Sequence, residues 1–495
     1  MSPRKWDWWK FGDGVVLLTY AGVVLWTLQY HEKWADEAQA WLIARDLDLK
    51  TIWFHELRYE GSPGLWHTIL WVAQHVFHAG YGAIGYIGAT FAIAGAAVLL
   101  FCAPFPRYIR WPLAFTYVMV YQYAVIARPY TLLPLLAFLA ACFFKDTRHP
   151  ERITVVLALL TLLTLHGVIL AVCWGFAYLV DAVRQWTTLD VGIRRRYVSC
   201  AAVLGLTLAF VVFILRPSPD VEEFVMKGRE VELAASLHVK PPTWSMKLSS
   251  VLAGSFLDFP ILSALFVVLS GAWCATRRQL LPFALPVVGL IVLYVSVHGY
   301  SHHHGTITTA VMAAFWIAWP TKKEVARFDK RRFRLNHAMT GLLLIFCAVQ
   351  IWDSAGVIRN EYLYPYSGAQ DAANVLKAEG AERSPIFGIL YGVAGIQPYF
   401  DHNIFANLST SYFHHGLPLE GTTLELPEVA RVKPGHIVVF TEQPQLLVDS
   451  GQLNGLLGLG YKMVHFSDGY LLYRRGVYVR QVYFIFRREG WREQH

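Results

Sequence analysis

The sequence predicts a polytopic α-helical membrane protein of about eleven spans, followed by a small α/β domain. Hydrophobic residues make up 55% of the chain and charged residues only 16%, whereas soluble domains carry about 25% charged residues. Apolar segments recur from residue 14 to residue 353, and the hydropathy falls after about residue 357. We therefore expect a membrane domain over 1–356 and a C-terminal α/β domain over 357–495.

Eleven apolar segments are long enough to be considered as spans or parts of spans. They lie near 14–30, 64–79, 83–104, 112–127, 130–144, 153–182, 198–215, 249–274, 280–298, 306–319 and 338–353.

Basic residues predict how these segments are oriented, because Lys and Arg concentrate in cytoplasmic loops. Eleven simple spans would place Arg107, Arg110 and Lys145 outside. If 64–104 crosses once and 153–182 forms two short spans turning at His166-Gly167, every basic cluster lies inside. The N-terminus is then cytoplasmic and the C-terminal domain extracytoplasmic.

Composition and cysteine positions exclude other classes of protein. The net charge of +8 comes from loop residues that set topology, so we expect no nucleic acid partner. The six cysteines lie in or beside apolar segments, and none falls in the polar C-terminal region. We expect neither a disulfide framework nor a thiolate metal site. The compact chain without a retention signal favours a bacterial inner membrane.

The C-terminal region alternates between helical and extended patterns. AQDAANVLKAEG predicts a helix, and a second helix is expected between the second and third strands. The predicted strands are PIFGIL, HIVVF, YKMVHF and GYLLYRR.

An acidic pair, Asp36-Glu37, stands in the first predicted external loop, 31–63, within HEKWADEAQAWLIARDL. Such carboxylates are often merely solvated loop residues. Here Trp41, Leu42 and Leu47 are expected to lie on the bilayer surface and to hold the acids at a fixed depth. A carboxylate near an apolar surface binds protons more tightly and can act as a general base.

This acidic pair and the overall layout resemble the GT-C superfamily of integral membrane glycosyltransferases, most nearly the protein O-mannosyltransferase and aminoarabinose-transferase type. The resemblance implies transfer of a hexose or pentose from a polyprenyl-phosphate donor to a hydroxyl of a lipid, glycan or protein acceptor. It implies reaction on the extracytoplasmic face with inversion, and Asp36 as the general base. Glu37 would orient the acceptor or help to hold a divalent cation, a cofactor that the sequence leaves open.

A second motif, YEGSPGLWHTILW, begins where such enzymes often have an acidic residue and a His-Pro-Pro-Leu stretch. The corresponding residues here are Ser62-Pro63-Gly64-Leu65, so the histidine and the second proline are absent. Pro63 alone is ordinary helix-start chemistry. Arg58 and Glu60 are taken as substrate-binding candidates.

Arg128 and Tyr130, in YQYAVIARPYTLLPLLAF, occupy a place comparable to an Arg and a Tyr of similar enzymes. A lone Arg between apolar runs is costly unless it has a partner. It is either a topology signal or a ligand of the donor phosphate, a role that its planar guanidinium suits.

Histidines at the predicted external face complete the candidate site. His166 lies in LTLLTLHGVIL and is either a packing residue or part of a polar break near the cavity. His302, His303 and His304 stand at the mouth of a span and are taken as phosphate contacts. Adjacent helical residues diverge by about 100°, which disfavours one metal ion bound by all three. The external loop 216–248 is either a lid or a passive connector.

Three other classes of protein remain as alternatives. A transporter or flippase of an anionic lipid or lipid-linked sugar also carries intramembrane Arg and His, but usually shows internal repeats. A glycan polymerase or ligase usually has a large late external loop between spans. A glycan sensor would keep its binding when Asp36 is lost.

Overall fold

The computed structural model of the chain describes residues 8–217, 242–296, 301–414, 424–445 and 451–491. Most of the predicted loop 216–248 lies outside these residues, so its role as a lid stays a prediction.

Eleven α-helices lie within residues 8–217. They are α1 (Trp8–Leu28), α2 (Ala35–Asp46), α3 (Leu49–Thr51), α4 (Leu57–Glu60), α5 (Leu65–His75), α6 (Ala83–Cys102), α7 (Arg107–Ala114), α8 (Leu133–Phe143), α9 (Pro150–Thr161), α10 (Leu165–Arg184) and α11 (Val191–Ile214).

The second half adds nine helices and a sheet among the described residues. They are α12 (Trp244–Ser255), α13 (Pro260–Thr276), α14 (Leu280–Ser296), α15 (Gly305–Ala318), α16 (Lys322–Val325), α17 (Lys330–Leu363), α18 (Ala369–Glu379), α19 (Leu426–Val432), α20 (Gln452–Gly458), β1 (Ile386–Ile389), β2 (His436–Thr441), β3 (Tyr461–Leu472) and β4 (Tyr478–Arg488).

Five helices of the described ranges are long and apolar enough to cross a membrane, and the bent pair α12–α13 makes a sixth if it is one span. The predicted number of eleven is not confirmed, because several apolar segments form helices too short for a bilayer about 30 Å thick. Helix α5, for example, has 11 residues, or roughly 16 Å.

The segment 153–182 does break into two helices, as expected, but not at His166-Gly167. The break lies at residues 162–164, between α9 and α10. The Thr164 hydroxyl accepts a hydrogen bond of 2.9 Å from the Gly167 backbone N–H and caps α10. A threonine at this position satisfies one of the free N–H groups of the first turn, so the helix begins earlier than predicted.

The basic clusters gather at one end of the helix bundle. Asp13 in α1 accepts hydrogen bonds from Arg107 at 3.1 Å and Arg110 at 2.8 Å, which places the α6–α7 turn beside the start of the chain. Tyr178, at the end of α10, donates to the carbonyl of Asp146. The candidate site lies at the opposite end, where α10 begins and α17 finishes. Which end faces the cytoplasm stays a prediction from the basic residues.

The C-terminal sheet has the strand order β1-β2-β4-β3, with β1 and β2 parallel and the other neighbours antiparallel. Apolar side chains cover both faces. One face packs under α18 through Ala373 and Leu376, and the other under α19 and α20 through Val429 and Leu456. The preceding helix α17 runs across residue 356, so the predicted division at 356/357 falls within a helix and stays a prediction.

The strand predictions for this domain need two corrections. YKMVHF and GYLL form one strand, β3, with a bulge between Met463 and His465. Gly469 does not end the strand. It pairs with Gln481, and a Cβ there would lie 2.6 Å from Ser367 Cα. The strand β4 was not predicted, although YVRQVYFIFRR alternates as strands do.

We predict that Gly469→Ala destabilises the protein by about 1–3 kcal/mol, because the added methyl group overlaps the Ser367–Gly368 backbone and forces it to move. Thermal unfolding in detergent measures the effect. Gly458→Ala is the matched control, since it adds a methyl group where no atom lies within 4 Å. Equal melting temperatures for the two variants would contradict the close approach at Gly469.

Candidate active site

Helix α2 carries Asp36 and Glu37 in its first turn, and it is buried rather than spread on a membrane surface. Trp41 is 3% exposed and Leu42 is fully buried. The helix packs between α5 and the 3-10 turn Tyr391–Gly395 of the C-terminal domain. The expectation that Trp41 and Leu42 lie on the bilayer is therefore wrong: protein on two sides, not lipid, fixes the depth of the acidic pair.

Asp36 and Arg128 form an ion pair, with 3.0 Å between Oδ2 and Nη1. Both side chains are mostly buried, at 16% and 19% exposed. Burial raises the pKa of the Asp36 carboxyl above its ordinary value, the charges of Glu442 and Glu37 raise it further, and Arg128 opposes them. The pair therefore holds a carboxylate with increased proton affinity against a fixed cation.

Arg128 is held by the rings around it as well as by Asp36. It is the extended residue before the 3-10 turn Pro129–Leu132. Its guanidinium carbon lies 5.7 Å from the ring centroid of Trp34 and 5.6 Å from that of Tyr130. Cations are attracted to the faces of aromatic rings at such distances, so the planar fork has a defined orientation.

Glu37 lies beside Asp36 but points into protein. It is fully buried. Its Oε1 accepts a 2.8 Å hydrogen bond from the Ala127 backbone N–H, and its Oε2 lies 3.0 Å from His31 Nε2. Since Ala127 precedes Arg128, Glu37 ties the start of α2 to the segment that carries the arginine.

His31 lies between two buried carboxylates. Its Nε2 contacts Glu37, and its Nδ1 donates to Glu361 Oε1 at 2.7 Å. Burial opposes the charged imidazole, but the two carboxylates outweigh it and raise the pKa of His31 to about 10. The second oxygen of Glu361 accepts from the Tyr121 hydroxyl. This His31 cluster (His31, Glu37, Glu361 and Tyr121) joins three separate parts of the chain around one positive charge.

Tyr130 and the histidines form a second group of rings at the same end. The Tyr130 hydroxyl lies 3.2 Å from His166 Nδ1, and the His166 and His303 rings are 4.9 Å apart. The Tyr294 hydroxyl donates to the His303 carbonyl. The side chains of three residues predicted from the sequence, Tyr130, His166 and His303, thus contact one another.

A pocket opens beside Arg128 at the junction of the helix bundle and the C-terminal domain. Its walls are largely aromatic, and both parts of the chain contribute to them. They comprise Trp34, Tyr117, Gln122, Tyr123, Ile126, Arg128, Tyr130, His302, Tyr366, Leu472 and Tyr473.

Of the candidate residues, Arg128, Tyr130 and His302 line this pocket, and Asp36 reaches it through its pair with Arg128. His304 does not line it. It is 1% exposed and lies against Gly254. The described residues contain no group of three His, Cys, Asp or Glu side chains that could hold a metal ion.

Glu60 and Arg58, both in α4, lie outside this lining, and Glu60 is close enough to Asp36 for their charges to interact. Glu60 accepts a hydrogen bond of 2.8 Å from Gln39 of α2. Burial raises the pKa of Glu60 to about 8, and the charges of Glu56 and Asp36 act in the same direction. Arg58 is half-buried, and its Nε has no hydrogen-bond partner among the described residues.

Sequence reasoning missed His31, Glu361 and the aromatic residues that the C-terminal domain contributes. His31 opens the stretch that holds the acidic pair, and Glu361 is an isolated acid at the end of a long helix. A charged residue at the end of an apolar segment can indicate a functional site. No local pattern shows, however, that two such residues, 330 positions apart, form a pair.

The fold is similar to that of two solved structures of ArnT. ArnT from Cupriavidus metallidurans bound to undecaprenyl phosphate matches with a TM-score of 0.51 and 14% identity, over 96% of this chain and 98% of that one. The apo state of ArnT from the same organism matches over the same shares, with a TM-score of 0.50 and 13% identity. No family model matches the sequence, and no curated protein matches it either.

We predict that His31→Phe destabilises the protein by about 3–5 kcal/mol, because it leaves two buried carboxylates without their cation. Thermal or denaturant unfolding in detergent measures the loss. His149→Phe is the control: His149 pairs with Glu151 at 3.0 Å, but both side chains are more than 40% exposed, so the change should cost about 1 kcal/mol or less. Similar losses in both variants would show that the buried cluster is not strongly coupled.

We predict that the contribution of Glu60 to stability falls as the pH rises from about 5 to about 8, and that Glu60→Gln removes this part of the pH dependence. A carboxyl with a folded pKa of about 8 and an ordinary value of 4.5 stabilises the fold fully below the lower value. That contribution is lost as pH rises through the higher one. Melting temperatures across this range test it, with the exposed Glu382→Gln as control. An unchanged slope in Glu60→Gln would contradict the prediction.

Proposed function

We propose that the protein is an integral membrane glycosyltransferase that moves a sugar from a polyprenyl phosphate to an acceptor hydroxyl. The observation that carries the proposal is the Asp36–Arg128 pair at an aromatic pocket, in a fold shared with a transferase whose structure holds undecaprenyl phosphate. The pocket lies at the end of the bundle opposite the basic clusters, and we assign that end to the extracytoplasmic face of a bacterial inner membrane.

Arg128 is the proposed ligand of the donor phosphate. A guanidinium binds two phosphate oxygens with its parallel N–H groups, and the rings of Trp34 and Tyr130 keep its orientation. His302 lies in the same pocket and is proposed to stabilise the negative charge that develops on the departing polyprenyl phosphate. His166 and His303 contact Tyr130 and are proposed to hold its ring in place.

Asp36 is the proposed general base. In the structure its carboxylate pairs with Arg128. A phosphate that binds Arg128 competes for that cation, and the carboxylate then becomes free to accept a proton. The acceptor hydroxyl loses its proton to Asp36 and attacks the sugar C1 from the face opposite the phosphate. The C1–O bond to phosphate breaks, and the polyprenyl phosphate leaves with that electron pair, so the configuration at C1 inverts.

The remaining candidates take supporting roles in this scheme. Glu60, largely protonated at neutral pH, is proposed with Arg58 to contact the acceptor, which is a lipid, glycan or protein. Glu37 and His304 are positioning residues, because both are buried in contacts with protein. No step in this scheme requires a divalent cation. We propose that 1–356 forms the catalytic part and 357–495 covers it.

The first experiment incubates the purified protein with a panel of radiolabelled polyprenyl-phosphate sugars and crude membrane lipids as acceptors. We expect Asp36→Asn to lower the turnover rate about 100- to 10,000-fold, the range that loss of a general base produces. Asp46→Asn, on the same helix but partly exposed, should keep its activity. Normal turnover by Asp36→Asn would refute the assignment of the base.

Binding measurements with undecaprenyl phosphate distinguish the proposed role of Arg128 from that of Asp36. Arg128→Met should weaken binding by about tenfold or more, since a hydrogen bond to a charged group contributes about 1.5–3 kcal/mol. Asp36→Asn should bind as tightly as the wild type or more tightly, because Arg128 has lost its competitor. If the wild-type protein turns over no donor but moves labelled lipid across vesicles, the protein is a flippase rather than a transferase.

A further inference from the structure

One arginine of the C-terminal domain is buried in the helix bundle. Arg474 stands at the tip of the β3–β4 hairpin and is 7% exposed. Its Nε donates to Asp353 Oδ2 at 2.9 Å, and its Nη2 lies 2.8 Å from Asp258 Oδ1. The same guanidinium donates to the backbone carbonyls of Gly254 at 2.8 Å and Phe256 at 3.0 Å.

The Gly254 carbonyl belongs to the last turn of α12, and the Phe256 carbonyl to the break between α12 and α13, where the chain bends by 70°. The last carbonyls of a helix have no partner within that helix, and non-helical backbone at membrane depth is tolerated only where protein satisfies its polar groups. A cation at a helix C-terminus is also favoured by the helix dipole. Arg474 therefore acts as a C-terminal cap that the sheet domain supplies to a broken apolar helix.

The capped segment supports the histidines of the pocket. Gly254 packs so closely on His304 that a Cβ there would overlap its ring. The Ser255 hydroxyl donates to the His304 carbonyl at 3.3 Å, and the Thr308 hydroxyl donates to the Ser255 carbonyl at 2.6 Å. His304, the last residue of the 302–304 segment, thus packs on the backbone that Arg474 holds together with Gln350, which donates to the Phe256 carbonyl at 2.8 Å.

The same hairpin supplies part of the pocket wall. Leu472 and Tyr473, the two residues before Arg474, line the pocket together with Arg128 and His302. Displacement of Arg474 would therefore move the wall on one side and the histidine segment on the other.

We propose that Arg474 is a positioning residue of the active site: by capping the break between α12 and α13 it holds Tyr473 and the His302–His304 segment around the donor phosphate. The C-terminal domain is then part of the donor site and not only a module for the acceptor. The link to the donor rests on the proposed function, whereas the cap itself does not.

The test compares the wild-type protein with a triple variant, Arg474→Met with Asp258→Asn and Asp353→Asn. The two asparagines ensure that no buried carboxylate is left without its cation. Hydrogen–deuterium exchange without ligand should be faster at residues 254–258 and 301–306. Undecaprenyl phosphate should bind more weakly, by about tenfold or more, as expected when a hydrogen bond to the charged phosphate is lost or lengthened. Arg474→Lys, which keeps the charge, should recover part of the affinity.

Two controls separate positioning from general stability. Arg480→Met removes an arginine of the same hairpin that pairs with Asp468 at 2.9 Å but is 45% exposed. Val439→Ala weakens the core of the sheet on its far face. Both should keep wild-type affinity below their melting temperatures.

Unchanged exchange at residues 301–306 in the Arg474 variant would overturn the proposal, as would faster exchange with wild-type affinity. If the wild-type protein itself binds no undecaprenyl phosphate, the proposed function fails. The exchange data alone then decide whether Arg474 holds the histidine segment.

Discussion

A single positive charge, on His31, organises the end of the bundle where the candidate site lies. The imidazole takes a carboxylate on each side, Glu37 from α2 and Glu361 from α17. Charges buried to this degree are tolerated only when they are paired and hydrogen-bonded. Here the pairing fixes geometry as well: Glu37 also accepts from Ala127, so the helix that carries Asp36 and the segment that carries Arg128 share one anchor. This cluster therefore fixes the distance between Asp36, the proposed base, and Arg128, the proposed phosphate ligand.

Two arginines extend the same principle across the site. Arg128 joins α2 to the segment before α8 through Asp36, and Arg474 joins the sheet domain to the break in the bundle. Each is nearly enclosed, and each has carboxylate and aromatic neighbours: Trp34 and Tyr130 around Arg128, Tyr117 near Arg474. A guanidinium can make several directed hydrogen bonds at once, which lets one side chain fix several backbone segments in a low-dielectric region.

Hydropathy and motifs predicted the membrane class, the C-terminal α/β region and the acidic pair, because these depend on local composition. The sequence also predicted that Arg128, Tyr130 and His302 lie in one site, because the basic residues indicate which helix ends lie on the same side of the membrane. The pairs His31–Glu361 and Arg474–Asp353 could not be predicted, since each joins residues more than 100 positions apart. Strand β3 was divided because Ser467-Asp468-Gly469 has turn composition, and packing against Ser367 overrides that local preference.

In the proposed mechanism, the Asp36–Arg128 pair keeps the base from acting on water before the donor binds. The carboxylate lies 3.0 Å from the guanidinium of Arg128, and the charge of Arg128 lowers a proton affinity that burial has raised. The proposed donor phosphate would compete for the arginine and place its own negative charge nearby, and both changes would raise the proton affinity of Asp36. The base thus becomes stronger only when the donor is bound. In this arrangement the acceptor is deprotonated beside a sugar that is ready to be transferred, and hydrolysis of the donor lipid is disfavoured.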